Sequence, residues 1–416
     1  MSQAQIPRRE FIRTAACAAA ALTPIGTGAG PAGAPTVKPP RPRAITMWDF
    51  SWIERRWPGA GYEDWPQVLD EALERGYDAI RIDAFPHLVG TAPEKEWTLL
   101  PVWYVQDWGS PAINKVRLQP ALHEFIGLCK ERGIMVNLSS WYREDVDDTR
   151  MRITSPTVQA EQWKSVLAGI KEAGLLDAIL CVDMCNEWPG AVWCPFFRND
   201  PPELTWGGWH TETSQRWMRE ASESVRRDFP ELPVSFSFEP RDVSKLVGAD
   251  LGYLDFADPH LWMAQANGGE FYQLSDYKYE RFNLEGYKSF VEKGEALYRS
   301  KPEYWQELLR QHILKTAAAF KSFKLPLMTT ECWGVVDFKD WPLLDWQWVK
   351  ELCRLGVETA AGTGQWVAIA TSNFAGPQFR GMWRDVQWHQ SANELIKGSA
   401  ILPELHGTKQ VQRLGT

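Results

Sequence analysis

From residue 44 onward, short apolar runs alternate with longer stretches in which apolar residues recur every three or four positions. The short runs predict strands near 44–49 (AITMWD), 78–85 (DAIRIDAF), 134–140 (IMVNLSS), 178–187 (AILCVDMCNE), 233–238 (PVSFSF), 254–260 (LDFADPH), 325–331 (LPLMTTE) and 364–371 (GQWVAIAT). The stretches between them carry helix signals. Asp64 is placed to cap WPQVLDEALERG, with Val68, Leu69 and Leu73 expected on one buried face and Gly76 as its stop. Helices over 120–132 and 157–173 end at Gly133 and Gly174, and one over 212–228 stops before Pro230. Strands joined through helices must run parallel, and eight such units close a (β/α)8 barrel. The fold class is therefore α/β, with one domain over 44–416 and no low-complexity linker between 44 and 400.

Two connections exceed what a barrel needs: 86–119 after the second strand and 261–303 after the sixth. Both follow strand C-termini, the end at which barrel loops build a binding face. They carry Trp97, Trp103, Trp108, Trp262, Tyr272, Tyr277 and Tyr279, whose rings are suited to stacking on a sugar.

Composition then narrows the partners. A net charge of -8 repels a phosphate backbone, so nucleic acid is excluded. The chain holds 23 tryptophans, more than its 18 phenylalanines or 11 tyrosines. An indole can stack on the apolar face of a pyranose while its N–H bonds a hydroxyl, which points to carbohydrate, although at least half of them are expected to be core filler.

Ahead of the barrel, Arg8-Arg9 precede Phe11 and Ile12, a mildly apolar run from Thr14 to Leu22, and a Gly/Ala/Pro-rich stretch to about residue 43. This segment, 1–43, resembles a twin-arginine export signal with a linker and implies a periplasmic or extracellular protein. It is too short to anchor in a bilayer, so no membrane association is expected after cleavage. Cys17 falls inside it; Cys129, Cys181, Cys185, Cys194, Cys332 and Cys353 show no C-x-x-C pair, and no obligatory disulfide framework is expected.

The chemistry concentrates at two strand ends. The fourth run closes on Cys185-Asn186-Glu187-Trp188, and the seventh on Thr329-Thr330-Glu331-Cys332-Trp333. A carboxylate ending an apolar strand is costly unless a partner or a reaction requires it. Cleavage of a glycosidic bond requires two: an acid to protonate the leaving oxygen and a second carboxylate across the ring.

An Asn-Glu pair closing strand four and a Glu closing strand seven resemble the clan A glycoside hydrolases, in style the family 5 cellulases, over residues 44 to about 396. That resemblance implies a retaining enzyme that cleaves β-glycosidic bonds, with Glu187 as acid/base, Glu331 as nucleophile and Asn186 holding the sugar 2-hydroxyl. It also implies Arg81 near the nucleophile, His260 as the strand-six histidine and Trp366 as the strand-eight tryptophan. The clan's tyrosine two residues beyond the histidine is Trp262 here, which leaves Tyr272, Tyr277 or Tyr279 to orient the nucleophile. Arg81 is expected to keep Glu331 ionised, and Trp188 to desolvate Glu187 so that it keeps its proton. The two carboxyls of a retaining pair lie ~5 to 5.5 Å apart. Trp48, Asp49, Trp141, Trp188, Trp262 and Trp333, at or just past strand ends, complete the candidate sugar contacts.

Among other acids, Asp83 reads as a partner of Arg81, Asp183 as a buried structural group, and Asp258 has no assigned role. His-x-His, HExxH, Gly-x-Ser-x-Gly and a strand-borne glycine-rich phosphate loop are all missing, so no metal or cofactor is expected. The rival readings are a non-catalytic carbohydrate-binding barrel and a transglycosylase on the same site. Replacing both Arg8 and Arg9 by lysine is expected to retain the protein in the cytoplasm, measured by cell fractionation; unchanged export would remove the twin-arginine assignment.

Overall fold

A strand buried on both faces has no polar side to turn to water, so each continuous apolar run becomes a stave of a parallel sheet. The computed structural model describes residues 39–102, 109–197, 208–240, 243–246, 248–277, 284–340 and 344–415. Residues 1–38 of the segment read as an export signal, with Arg8, Arg9 and Cys17, lie outside the described residues, as do Trp103, Trp108 and Tyr279. The staves are β1 (Arg43–Asp49), β2 (Ala79–Asp83), β3 (Met135–Ser139), β4 (Ile179–Asp183), β5 (Val234–Ser235, resumed at Ser237–Phe238), β6 (Asp258–Pro259, resumed at Leu261–Trp262), β7 (Leu327–Thr329, resumed at Cys332–Trp333) and β8 (Trp366–Ala370). Seven pair in the order β7-β8-β1-β2-β3-β4-β5. The sixth closes the ring, pairing Ser237 with Asp258 on one side and Ala257 with Leu327 and Leu261 with Cys332 on the other. The expected (β/α)8 barrel is the fold.

Helix termini follow the sequence signals. Asp64 accepts from the Gln67 N–H and caps Trp65–Glu74, Ser155 caps Pro156–Glu172 and Thr211 caps Glu212–Asp228. Gly76 leaves the first helix with φ +84°, a conformation costly for any side chain with a Cβ. One helix face differs from expectation: Trp65, Val68, Leu69 and Ala72 face the barrel, and Leu73 is 39% exposed. A helix turns 100° per residue, so Leu73 lies beyond the stripe that Val68 and Leu69 define.

The connection after β2 forms an antiparallel hairpin of Glu96–Leu99 with Asn114–Arg117. That after β6 adds the helices Ala266–Leu274 and Leu284–Ser300 before the barrel helix Pro302–Lys321. At the opposite end, the helix Lys409–Leu414 closes the barrel bottom, with Arg413 donating to the Ile179 carbonyl and Arg43 donating to that of Leu414. Among the described residues no helix is long and apolar enough to cross a membrane.

Among the described residues twelve tryptophans are under 2% exposed, over half of the 23 in the chain, so most of the indole excess is packing. Trp333 is one of them: its Nε1–H donates 2.9 Å to the Ala370 carbonyl, and its ring lies against Gly356 of the helix Gln347–Thr363. A Cβ at Gly356 would come within 2.4 Å of that ring. Gly356→Ala is therefore expected to destabilise the fold by about 1–3 kcal/mol, seen as a lower thermal midpoint, because the indole is hemmed in and cannot retreat. An unchanged midpoint would show that the interface is looser than described. The six cysteines beyond residue 38 are buried free thiols.

Candidate active site

The site is organised from below by Arg81, fully buried on β2. A guanidinium cannot shed its charge, so burial demands both counter-charge and acceptors. Its Nη1 donates 2.8 Å to Glu331 Oε1. Its Nη2 lies 2.6 Å from Asp183 Oδ2, 2.7 Å from Asn186 Oδ1, 3.0 Å from Ser139 Oγ and 3.1 Å from Ser237 Oγ. The Trp141 ring covers the same cation at 4.4 Å. One side chain thus ties together β2, β3, β4, β5 and the end of β7.

Above it, His260 bridges two glutamates: Nδ1 is 3.0 Å from Glu187 Oε1 and 3.7 Å from Glu331 Oε2. A carboxylate oxygen of each glutamate and a His260 ring nitrogen all lie within 4.8 Å of one another. Asp258 stands behind the ring, accepting from the Thr330 N–H at 3.0 Å and the Thr330 hydroxyl at 2.7 Å, and so holds the segment that carries Glu331. Glu187 sits in left-handed backbone at φ +47°, a conformation that costs a residue with a Cβ on the order of 1–2 kcal/mol. Its own N–H donates to Ser237 Oγ at 3.0 Å, the next N–H to the Ser237 carbonyl at 2.9 Å, and Gly190 N–H to the Glu187 carbonyl at 2.6 Å. This clamp turns the side chain into the barrel mouth.

These groups line a cavity of about 470 Å³, walled by Met47, Asp49 and Asn373 on one sector and by Gln265–Gly269, Tyr272 and Asp337 on another. Burial pushes Glu331 up to about 7; His260 and Arg81 pull it down and the neighbouring Glu187 pushes it up. The expectation that Arg81 keeps Glu331 firmly ionised is therefore corrected. One guanidinium is shared among Asp183, Glu331 and Asp258, too little charge to offset the burial of Glu331. Glu187, His260 and Glu331 have the spacing of a metal site. A divalent cation held there would be repelled by Arg81, 2.8 Å from Glu331.

Of the residues named from the sequence, Asp49, Trp141, Asn186, Glu187, His260 and Glu331 line the cavity, with Arg81 directly beneath. Five tryptophans do not. Trp48 faces the helix layer, donating to the Ala375 carbonyl and meeting Tyr62 at 5.4 Å, because it alternates with inward Asp49. Trp188 also points outward, donating 2.8 Å to Ser214 and packing 4.4 Å from Phe197. The indole on Glu187 is instead Trp193, whose Nε1–H donates 3.2 Å to Oε2. Trp262 is buried without lining the cavity, and Trp333 serves the helix contact described above. Trp366 opens β8 beside Leu327, at the barrel end opposite the site.

The acids divide similarly. Asp183 is held by Arg81, two serine hydroxyls and the Ser237 N–H, as a structural group would be. Asp83 does not touch Arg81; it accepts from the Phe85 and Trp141 N–H groups at 2.7 and 3.0 Å, since at a strand's last position nearby amides compete for it. Tyr272 reaches the cavity, but its hydroxyl takes the Val336 N–H, and the Tyr277 ring packs tilted against it at 4.7 Å; Glu331 takes its side-chain bond from Arg81. Trp193, Glu239 and Asn373 were missed. The Pro189-Gly190 pair after Glu187 was the available signal for Trp193, since that turn folds the chain back so that Trp193 N–H meets the Gly190 carbonyl at 3.0 Å.

Residues 45–397 match a cellulase-like family described as sugar-binding. The chain belongs to that family. A candidate glycoside hydrolase from Parabacteroides distasonis is 53% identical, with a TM-score of 0.88 over 90% of this chain and 99% of that one. A family 5 mannosidase from Rhizomucor miehei, 9% identical, superposes with a TM-score of 0.50 over 86% of this chain and 94% of that one, and shows the barrel alone. No protein of curated function matches. Membership of the cellulase-like family and the family 5 barrel agree with the resemblance to clan A.

Glu331 is expected to titrate near pH 7, followed by side-chain carbon-13 NMR with Glu331→Gln to assign the signal. Glu187→Gln removes a neighbouring negative charge and should move that midpoint to lower pH; a midpoint near 4 in the unaltered protein would contradict the burial argument.

Proposed function

We propose that the protein is a retaining glycoside hydrolase that cleaves β-glycosidic bonds by double displacement, with Glu331 as nucleophile and Glu187 as acid/base. The observation that carries this is the pair of buried glutamates from β4 and β7 with oxygens within 4.8 Å, a spacing that suits direct attack rather than an intervening water. Their partners differ in kind. Glu331 is paired with a permanent cation, which favours its ionised form at the moment of attack. Glu187 is met by an imidazole and an indole N–H, which position it without a fixed charge.

In the first step the Glu331 carboxylate attacks the anomeric carbon while Glu187 gives its proton to the departing oxygen, leaving a glycosyl ester and a free alcohol. In the second, Glu187 takes a proton from water, the resulting hydroxide attacks the same carbon, and Glu331 is released as carboxylate. Asn186 has its oxygen committed to Arg81 at 2.7 Å, which turns its N–H₂ toward the sugar. Trp141 offers a ring face that is held in place by the buried cation. A binding barrel without turnover would not require a buried cation on one glutamate, and this favours hydrolysis over the non-catalytic alternative. Export by the twin-arginine route would place the enzyme in the periplasm or outside the cell.

On a β-glycoside that the enzyme accepts, Glu331→Ala should reduce turnover to background. Glu187→Ala should keep measurable activity on activated aryl glycosides and form a β-glycosyl azide with added azide. The acid limb of kcat/KM should fall below pH about 7, because a raised Glu331 is neutral there and cannot attack. First release of the α-anomer, followed by proton NMR, would overturn retention.

A further inference from the structure

On β6, Asp258 lies two positions before His260, and both side chains are buried, as is Thr330 beside them. A neutral imidazole carries one proton, and the hydrogen bond made by one nitrogen decides what the other offers. Two oxygens face the Nε2 side of the ring: Thr330 Oγ1 at 3.4 Å and Asp258 Oδ1 at 4.0 Å. A hydroxyl has a single hydrogen, and that of Thr330 is spent on Asp258 Oδ2 at 2.7 Å. The other Asp258 oxygen takes the Thr330 N–H at 3.0 Å. Burial pushes the Asp258 carboxyl up, while His260 and Arg81 draw it down, and the two Thr330 donors favour its acceptor form. Thr330 Oγ1 then has only lone pairs left for the ring. Nε2 is therefore the nitrogen that carries hydrogen, and Nδ1 keeps a lone pair.

Nδ1 looks into the site, at Glu187 Oε1 across 3.0 Å and at Glu331 Oε2 across 3.7 Å. A lone pair held against a carboxylate is repulsive unless a proton lies between them. Only the shorter of the two contacts is a hydrogen bond, and Arg81 at 2.8 Å favours the ionised form of Glu331. The proton therefore belongs on Glu187. Its Oε2 already takes the Trp193 Nε1–H at 3.2 Å, which leaves Oε1 as the place for it.

We propose that Thr330 and Asp258 are positioning residues for the acid/base: they fix the His260 proton on Nε2, so that Nδ1 accepts from Glu187 and keeps its carboxyl in the proton-bearing form. As the bond from the anomeric carbon to the leaving oxygen breaks and that to Glu331 forms, the Glu187 proton passes to the departing alcohol. The carboxylate left behind faces the Nδ1 lone pair, which makes it a stronger base for the water of the second step. The proposal deepens the glycosidase reading of the same cavity and rests on it for the use made of the proton, whereas the tautomer needs no substrate.

The tautomer is read by nitrogen-15 NMR on the full chain with labelled histidine, and His260→Gln assigns the signals. Wild type should carry hydrogen on Nε2 and none on Nδ1 near neutral pH. Asp258→Asn reverses the arrangement at nearly constant shape. The Thr330 N–H still requires an acceptor, so the amide oxygen takes that place and the amide N–H₂ meets Thr330 Oγ1, turning the hydroxyl hydrogen to Nε2. The ring proton should then move to Nδ1, whereas Thr330→Ser, which keeps the hydroxyl, should show the wild-type tautomer. On the phenyl β-glycosides of glucose, mannose, galactose and xylose, Asp258→Asn should lower kcat/KM by about 100-fold, the lower end of what a positioned general acid supplies. The loss should be much smaller on the 2,4-dinitrophenyl glycoside of the same sugar, whose leaving group departs without a proton. If Asp258→Asn does not fold, Thr330→Val takes its place in the comparison of leaving groups. If wild type cleaves none of these glycosides, the glycosidase reading fails, and the nitrogen signals alone decide the tautomer. Hydrogen on Nδ1 in wild type or Thr330→Ser, an unmoved ring proton in Asp258→Asn, or equal losses on the two leaving groups would overturn the proposal.

Discussion

Everything at the barrel mouth depends on how the fold accommodates one buried cation. Arg81 cannot lose its proton, so the surrounding strands supply Asp183, Asn186, Ser139, Ser237 and Glu331 as acceptors. Removing one partner of such a buried pair typically costs about 3–5 kcal/mol, because the other charge is left unopposed. The geometry of the reacting glutamate is therefore inseparable from the packing of the barrel interior. The same guanidinium orients Asn186 and anchors the Trp141 ring. Burial lifts the Glu331 carboxyl to about 7, and the single Arg81 charge, divided among several carboxylates, does not bring it back to the ordinary range.

Glu187 is positioned by a different device. Its stave ends at Asp183, and the chain then bends through a left-handed residue clamped by Ser237 and Gly190. The turn directs the carboxyl inward, sends Trp188 outward to the helix layer, and returns Trp193 to the carboxyl. Local backbone strain is thus tolerated where it aims a functional group, since neighbouring strands supply the hydrogen bonds that hold it. His260 then couples the two glutamates through one ring nitrogen, and Asp258 steadies the Thr330 segment from behind.

The legible part of the site was the part written at strand ends. Glu187, Glu331, Arg81 and His260 interrupt or close apolar runs, and a polar group in such a place needs a reason that sequence alone can register. Trp366 shows the limit of that logic. Its strand was read correctly, but the residue opens β8 and so belongs to the barrel end away from the cavity, while Asn373, beyond the last apolar residue of the same run, reaches the site. Trp48 and Trp188 failed for a related reason. A strand end narrows the location of a side chain to one rim, but not to the inside or outside of the wall. Trp193 and Glu239 lie past strand ends in loops without periodicity, so apart from the Pro189-Gly190 turn nothing in the chain set their direction.

What the order of residues determined by itself was the alternation of buried runs and amphipathic helices, and hence the parallel barrel, because backbone periodicity and apolar burial act over a few neighbouring residues. It likewise put carboxylates at the ends of two particular strands. Only the tertiary structure decided which indole meets Glu187, which carboxylate receives Arg81, how far burial lifts Glu331, and that Asn373 lines the cavity. Those outcomes depend on distances between residues far apart in the chain and on the exclusion of water, and both exist only once the ring of strands has closed.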